Sequence, residues 1–160
     1  MPMIYAVVPG AIQTTNATPL TANDAFFVKP GATRNVALQS LYVVGRGAGL
    51  TAISGISFRG EKWTTTASQL GTGITPTPKD PGMQVAKSTA AYSPSGVFPG
   101  TGGPLLFISI GCGAAGPGGW VAPNADSLQV AEAAATHSLD VFDVSGTASL
   151  NFEMSAEIIE

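Results

Sequence analysis

The sequence has one cysteine, one histidine and little charge. Cys112 alone cannot form an internal disulfide, so a disulfide-stapled scaffold is excluded and synthesis in a reducing compartment is expected. With His137 as the lone imidazole, a zinc site would rest almost entirely on carboxylates, and no spacing supplies them. Charged residues make up 11% of the chain, against about 25% in an average domain. No window approaches the ~18 to 20 uninterrupted apolar residues of a membrane span. The opening "MPMIYAVVPG" lacks the basic start of a signal peptide. These absences lead to the expectation of a soluble protein made in the cytosol, without a membrane partner.

Turn formers are plentiful. The 160 residues include 20 glycines and 12 prolines, while 44% apolar content with low charge argues against disorder. All seven basic residues precede residue 88, and from Ser88 onward only acidic charges occur, from Asp126 to Glu160. Two arrangements follow: the halves interleave in one fold and the charges mix, which is favoured, or a two-signed surface docks against copies of itself or a larger partner. Net charge is −3 with no basic cluster, which excludes nucleic acid as an expected partner. A charge-poor surface suits an assembled protein.

Period-two alternation dominates the chain. In "TASLNFEMSAEIIE", Ala148, Leu150, Phe152, Met154, Ala156 and Ile158 alternate with polar positions, predicting a half-buried strand. "SLDVFDVSG" predicts another, with Leu139, Val141 and Asp143 on one face and Asp140, Phe142 and Val144 on the other, and Ser145-Gly146 suggests a tight hairpin between the two. "RNVALQSLYVVG" places Val36, Leu38, Tyr42 and Val44 on one face, with Ser40 interrupting. "AISGISFRGEKWTTT", "MIYAVV", "AFFV" and "PLLFISIG" add candidates, the last reading as buried on both faces. Asp126 and the alanines of "ADSLQVAEAAATHS" invite a short helix, but the strand pattern around Leu128 and Val130 is preferred. The expectation is one all-β domain over residues 1–160, an antiparallel β-sandwich of jelly-roll type with long Gly/Pro-rich loops.

Catalytic motifs are weak. "GCGAAG", Gly111 to Gly116, matches G-x-G-x-x-G, but "PGGW" follows where a dinucleotide site needs a helix N-terminus. "GRGAG", Gly45 to Gly49, lacks the Lys-Ser/Thr ending of a phosphate loop. His137 lies beside Ser138 and Asp140, yet a triad needs groups that face one another, and no G-x-S-x-G presents a nucleophile. The reading is a non-enzyme with no cofactor and no metal. Trp63, Trp120, Tyr5, Tyr42 and Tyr92 are read as core packing, with sugar stacking as the alternative.

The stretch "GTGITPTPKDPG", Gly71 to Gly82, stands apart. Each proline fixes φ and removes a donor, so it can be neither helix interior nor central strand, and reads as a loop or extended arm. Here the chain resembles a group of small virion proteins of tailed bacteriophages, the capsid cement or decoration proteins, through Thr75, Pro76, Pro78, Asp80, Pro81 and Gly82 and through the ending Ser145, Gly146, Thr147, Leu150, Phe152 and Glu153; the second Glu of that ending is Met154 here. The resemblance implies a structural protein on the outer surface of a phage head, made in the host bacterial cytoplasm. Its expected partners are the major capsid protein and copies of itself, with a homotrimer favoured. A tail or fibre adaptor, or a host-glycan-binding module on the virion, is the alternative. A proline-stiffened arm loses less entropy when ordered against a neighbour. The expected intersubunit contacts are therefore Thr75, Pro76, Thr77, Pro78, Lys79, Asp80 and Pro81, with Met3, Ile4 and Tyr5.

Overall fold

The computed structural model describes residues 2–14, 24–46, 56–63, 72–92, 108–112, 117–125, 129–134, 136–143 and 150–160. These contain strands β1 (Ile4–Val7), β2 (Gln13–Thr14), β3 (Asp24–Lys29), β4 (Val36–Arg46), β5 (Ile56–Trp63), β6 (Thr72–Ile74), β7 (Thr77–Pro78), β8 (Thr89–Tyr92), β9 (Ile108–Cys112), β10 (Gly118–Val121), β11 (Gln129–Ala131), β12 (Ser138–Asp143) and β13 (Asn151–Ile159). No α-helix occurs among the described residues, and "ADSLQVAEAAATHS" contributes β11 instead. All pairings are antiparallel.

Two sheets result. One runs β10-β4-β13-β1-β7, with β11 also on β4 and β2 also on β13; the other runs β6-β8-β3-β12-β5-β9. Among the described strands, none pairs with its neighbour in the chain. The predicted hairpin through Ser145-Gly146 is therefore corrected. β12 lies between β3 and β5, whereas β13 lies between β4 and β1 in the other sheet. Each strand gains a partner on both sides, which a hairpin pairing would have displaced.

The inward faces share one apolar core. Phe152, Met154, Ala156 and Ile158 of β13 are buried as the alternation predicts, together with Leu150. They join Phe26, Val28, Phe58, Leu139 and Val141 of the other sheet. Phe58 meets Phe152 edge to face, with centroids 4.8 Å apart and planes at 64°, a geometry favoured by the ring quadrupoles. β12 departs from simple alternation: Asp140, on the face opposite Leu139 and Val141, is buried as they are, at 1% exposed. Its carboxylate accepts the Ser138 hydroxyl at 3.0 Å, as burial of a charge requires a donor.

β4 corrects a second expectation. Val36 and Leu38 are buried, but farther along it is Leu41 and Val43 that face the core, while Tyr42 is exposed. The register against β13 slips between Glu157 and Ile158: Ser40 pairs with Glu157, Leu38 with Ile158, and Gln39 is the extra residue. One inserted residue reverses the parity of the rest of the strand. The interruption at Ser40 in the sequence marks this bulge, and the bulge turns Tyr42 and Val44 outward.

Candidate interaction surface

The segment from Thr72 to Tyr92 leaves one sheet, crosses to the other and returns. β6 is the outermost strand of the six-stranded sheet on β8, whereas β7 is the outermost strand of the seven-stranded sheet on β1, through Tyr5↔Pro78 and Ala6↔Thr77. Proline is admissible in β7 because an edge strand leaves one row of donors unused. The segment read from the sequence as a loop or extended arm forms, from Thr72 to Pro81, a strap laid on its own domain.

Backbone and side-chain bonds fix the strap along its length. Lys79 N–H donates to the Ile4 carbonyl at 3.1 Å, and the Lys79 ammonium pairs with the Glu157 carboxylate. Asp80 organises the tip: its carbonyl accepts from Met83 N–H at 3.0 Å and its Oδ1 from Gly82 N–H at 2.9 Å, the local bond that makes Asp a turn former. Beyond the tip, the buried Tyr5 hydroxyl donates to the Gln84 carbonyl at 2.9 Å. The Glu160 carboxylate then accepts Lys87 N–H at 3.0 Å and Ser88 N–H at 2.6 Å. Met3 and Glu160 exchange two backbone bonds of 3.0 Å, so both ends of the described chain support this anchor. Lys87 also presses on Gly31, where an added Cβ would lie 2.8 Å from the Lys87 Cβ. Burial raises the Tyr5 pKa above its ordinary value, with the Glu160 charge adding to the effect and Arg34 opposing it.

The ten expected contact residues divide accordingly. Thr75, Thr77, Lys79, Asp80 and Pro81 are exposed, Met3, Ile4 and Pro78 are half-buried, and Tyr5 and Pro76 are buried within the chain itself. Tyr5 and Pro76 therefore hold the strap from inside and offer no side-chain surface to a neighbour. Sequence reading missed Val85, which stands 71% exposed on the strap, the most exposed of the large apolar residues described. Its signal is an apolar side chain shortly after the turn formers Pro81 and Gly82.

Other sequence candidates do not converge. The Ser138 hydroxyl donates to Asp140, while His137 Nδ1 lies 3.1 Å from Glu132 Oε2, so His137 pairs outside the Ser138–Asp140 bond. Glu132 also accepts from the Lys62 ammonium at 2.7 Å, and this bond is the main reason its pKa is lowered. Among the described residues no three His, Cys, Asp or Glu side chains form a metal-holding group, and no helix is long and apolar enough to cross a membrane. Gly113 to Gly116 of "GCGAAG" and Gly47 to Gly49 of "GRGAG" lie outside the described residues.

The charges of the two chain halves mix. Arg46 pairs with Glu153, Lys62 with Glu132 and Lys79 with Glu157, each a base from the first half on an acid from the second. Comparison with protein-family models, curated proteins and solved structures finds no match. The resemblance to decoration proteins rests on the residues of the strap and on the ending from Ser145 to Glu153 alone, of which 145–147 lie outside the described residues.

Proposed function

We propose that this chain is a capsid cement or decoration protein of a tailed phage, a jelly-roll sandwich that binds the outer surface of the head and bridges capsid subunits. The pairing order supports the jelly roll. In that topology the first four strands of a rolled-up hairpin pair with the last four in reverse order, and β1-β13, β3-β12, β4-β10 and β5-β9 follow that rule. The strap β6-β7-β8 is then an insertion between the fourth and fifth strands. Jelly rolls serve viral capsids but also lectins, so topology alone does not choose a function.

The observation that carries the reading is the strap itself: anchored from inside, stiffened by prolines and presenting Val85 with Lys79, Asp80 and Pro81. A segment already ordered in the free protein loses little entropy on docking. Covering the exposed part of Val85 contributes about 1 to 2 kcal/mol per copy, and a homotrimer on a symmetric lattice multiplies such contacts through effective concentration. The partners are the major capsid protein and further copies of this chain. Co-sedimentation with heads stripped of decoration tests the proposal: saturable binding that Val85→Asp weakens at least about tenfold supports it, and equal binding by both proteins contradicts it. Light scattering across a concentration series tests the trimer, for which a persistent 16.1 kDa species is the contrary result.

A further inference from the structure

The outer face of the seven-stranded sheet carries a second feature, independent of the strap. The chain after β1 rises over β13 and, with β4, encloses an open groove of about 560 Å³, within the range of about 300 to 1,000 Å³ typical of small-ligand sites. Its aliphatic side is Val8, Ile12 and Val44; Val8 is 57% and Ile12 56% exposed. Tyr42 forms a further wall and is 44% exposed. Tyr42 pairs with Ser155 of β13 on one side and Gly119 of β10 on the other. The ring leans over Gly119: an added Cβ there would lie 2.9 Å from its Cδ1 and 3.4 Å from its Cε1. Glycine thus leaves room for an aromatic ring to lie over β10, beside the groove.

The polar content of the groove is specific. Ser155 and Glu153 line it, and Glu153 is held by Arg46 through two bonds to one carboxylate oxygen, 3.0 Å from Nε and 2.7 Å from Nη2. Both partners remain about half exposed, so guanidinium donors and carboxylate lone pairs stay open to a third molecule. The pair carries no net charge. An anionic ligand would have to face Glu153, and a wholly apolar one would strip water from the pair without replacing it. A pyranose has an apolar C–H face for an aromatic ring and a rim of hydroxyls that both donate and accept.

We propose that this groove is a binding site for a short neutral saccharide, with Tyr42 as its stacking platform, Glu153 and Ser155 as its hydrogen-bonding wall, and Arg46 as the residue that holds Glu153 in place. Gly119 is a positioning residue that sets the ring's tilt.

The test is a titration of the whole protein with cellobiose and, separately, lactose, followed by amide chemical shifts and calorimetry. The expected result is millimolar binding by at least one sugar, with shifts concentrated at residues 8–12, 42, 44 and 153–155. Tyr42→Phe retains it, whereas Tyr42→Ala weakens it about fivefold to tenfold. Gly119→Ala weakens it without altering the groove's hydrogen-bonding groups, and Val85→Asp on the strap leaves it unchanged. Because Tyr42 is exposed, Tyr42→Ala is expected to fold; if it does not, Glu153→Gln and the wild-type shift map carry the decision. The proposal is overturned by no binding of either sugar, by binding that survives Tyr42→Ala, or by shifts at the same residues that follow protein concentration without sugar, which assign the groove to a second copy.

Discussion

Tyr5→Phe is the most informative single change, because one hydroxyl joins the buried β1 to the exposed strap. Tyr5 is fully buried and its O–H reaches Gln84 at 2.9 Å, with the Met3 sulfur 3.4 Å away as a weaker acceptor. Removing it leaves the ring packing in place but deprives the Gln84 carbonyl of its donor. A lost net hydrogen bond costs about 0.5 to 1.5 kcal/mol, and an acceptor left dry costs about 1 to 3. Residue Gln84 is exposed, so water can reach its carbonyl, and the expected loss is about 1 to 2 kcal/mol. That corresponds to roughly 5- to 30-fold more frequent opening. Hydrogen exchange reads it directly: the Lys79, Lys87 and Ser88 amides, bonded to Ile4 and Glu160, exchange faster by that factor, while β12 and β13 amides change only in proportion to global stability. The pH dependence follows from burial of the same hydroxyl, with the Glu160 charge adding to it. Tyr5 has a raised pKa when folded, so its contribution is complete below the ordinary tyrosine value of about 10 and disappears as pH rises through the higher folded value; Tyr5→Phe lacks this alkaline loss. Unchanged strap exchange with unchanged urea stability would refute the anchoring role.

Further outcomes follow from other contacts. A double-mutant cycle on Phe58→Leu and Phe152→Leu, measured by urea unfolding, gives a coupling of about 0.5 to 1.5 kcal/mol because the rings meet between the sheets; strict additivity contradicts that contact. Gly31→Ala loosens the strap, since its Cβ would collide with Lys87, and faster exchange at Lys87 and Ser88 is the readout. The lowered Glu132 pKa means that its pair with Lys62 stabilises the fold above the ordinary carboxylate value and is lost as pH falls through the lower folded value. For so exposed a pair the effect is under about 1 kcal/mol, and Lys62→Met removes it from the acid limb of the stability curve. Deleting residues 151–160 removes the strand between β4 and β1, and cooperative unfolding disappears; a truncated protein that still unfolds cooperatively counts against this topology.

Strand character was legible wherever one face is buried, and β13 is the clear instance: apolar alternation placed Phe152, Met154, Ala156 and Ile158 in the core. Pairing was not legible, because Ser145-Gly146 has hairpin chemistry whereas the partners of β12 and β13 are chosen by distant strands. The β4 bulge was half-visible. Ser40 broke the apolar series, but only the register against Glu157 and Ile158 shows that the parity reverses and that Tyr42 faces outward. The same limit governed the strap. Proline chemistry excluded Thr75 to Pro81 from a central strand, yet local sequence could not reveal that Tyr5 and Glu160 bind it to its own domain. The interleaving of the charged halves follows from the topology, which sets early strands beside late ones.

The strap's role as the docking element is tested most directly by hydrogen-exchange mass spectrometry of the protein free and bound to stripped phage heads. The proposed function predicts that protection on binding concentrates at residues 77–87, around the exposed Val85, while the Tyr42 groove exchanges as before. Protection confined to residues 8–12 and 42–44, or none anywhere on the strap at saturation, would contradict it.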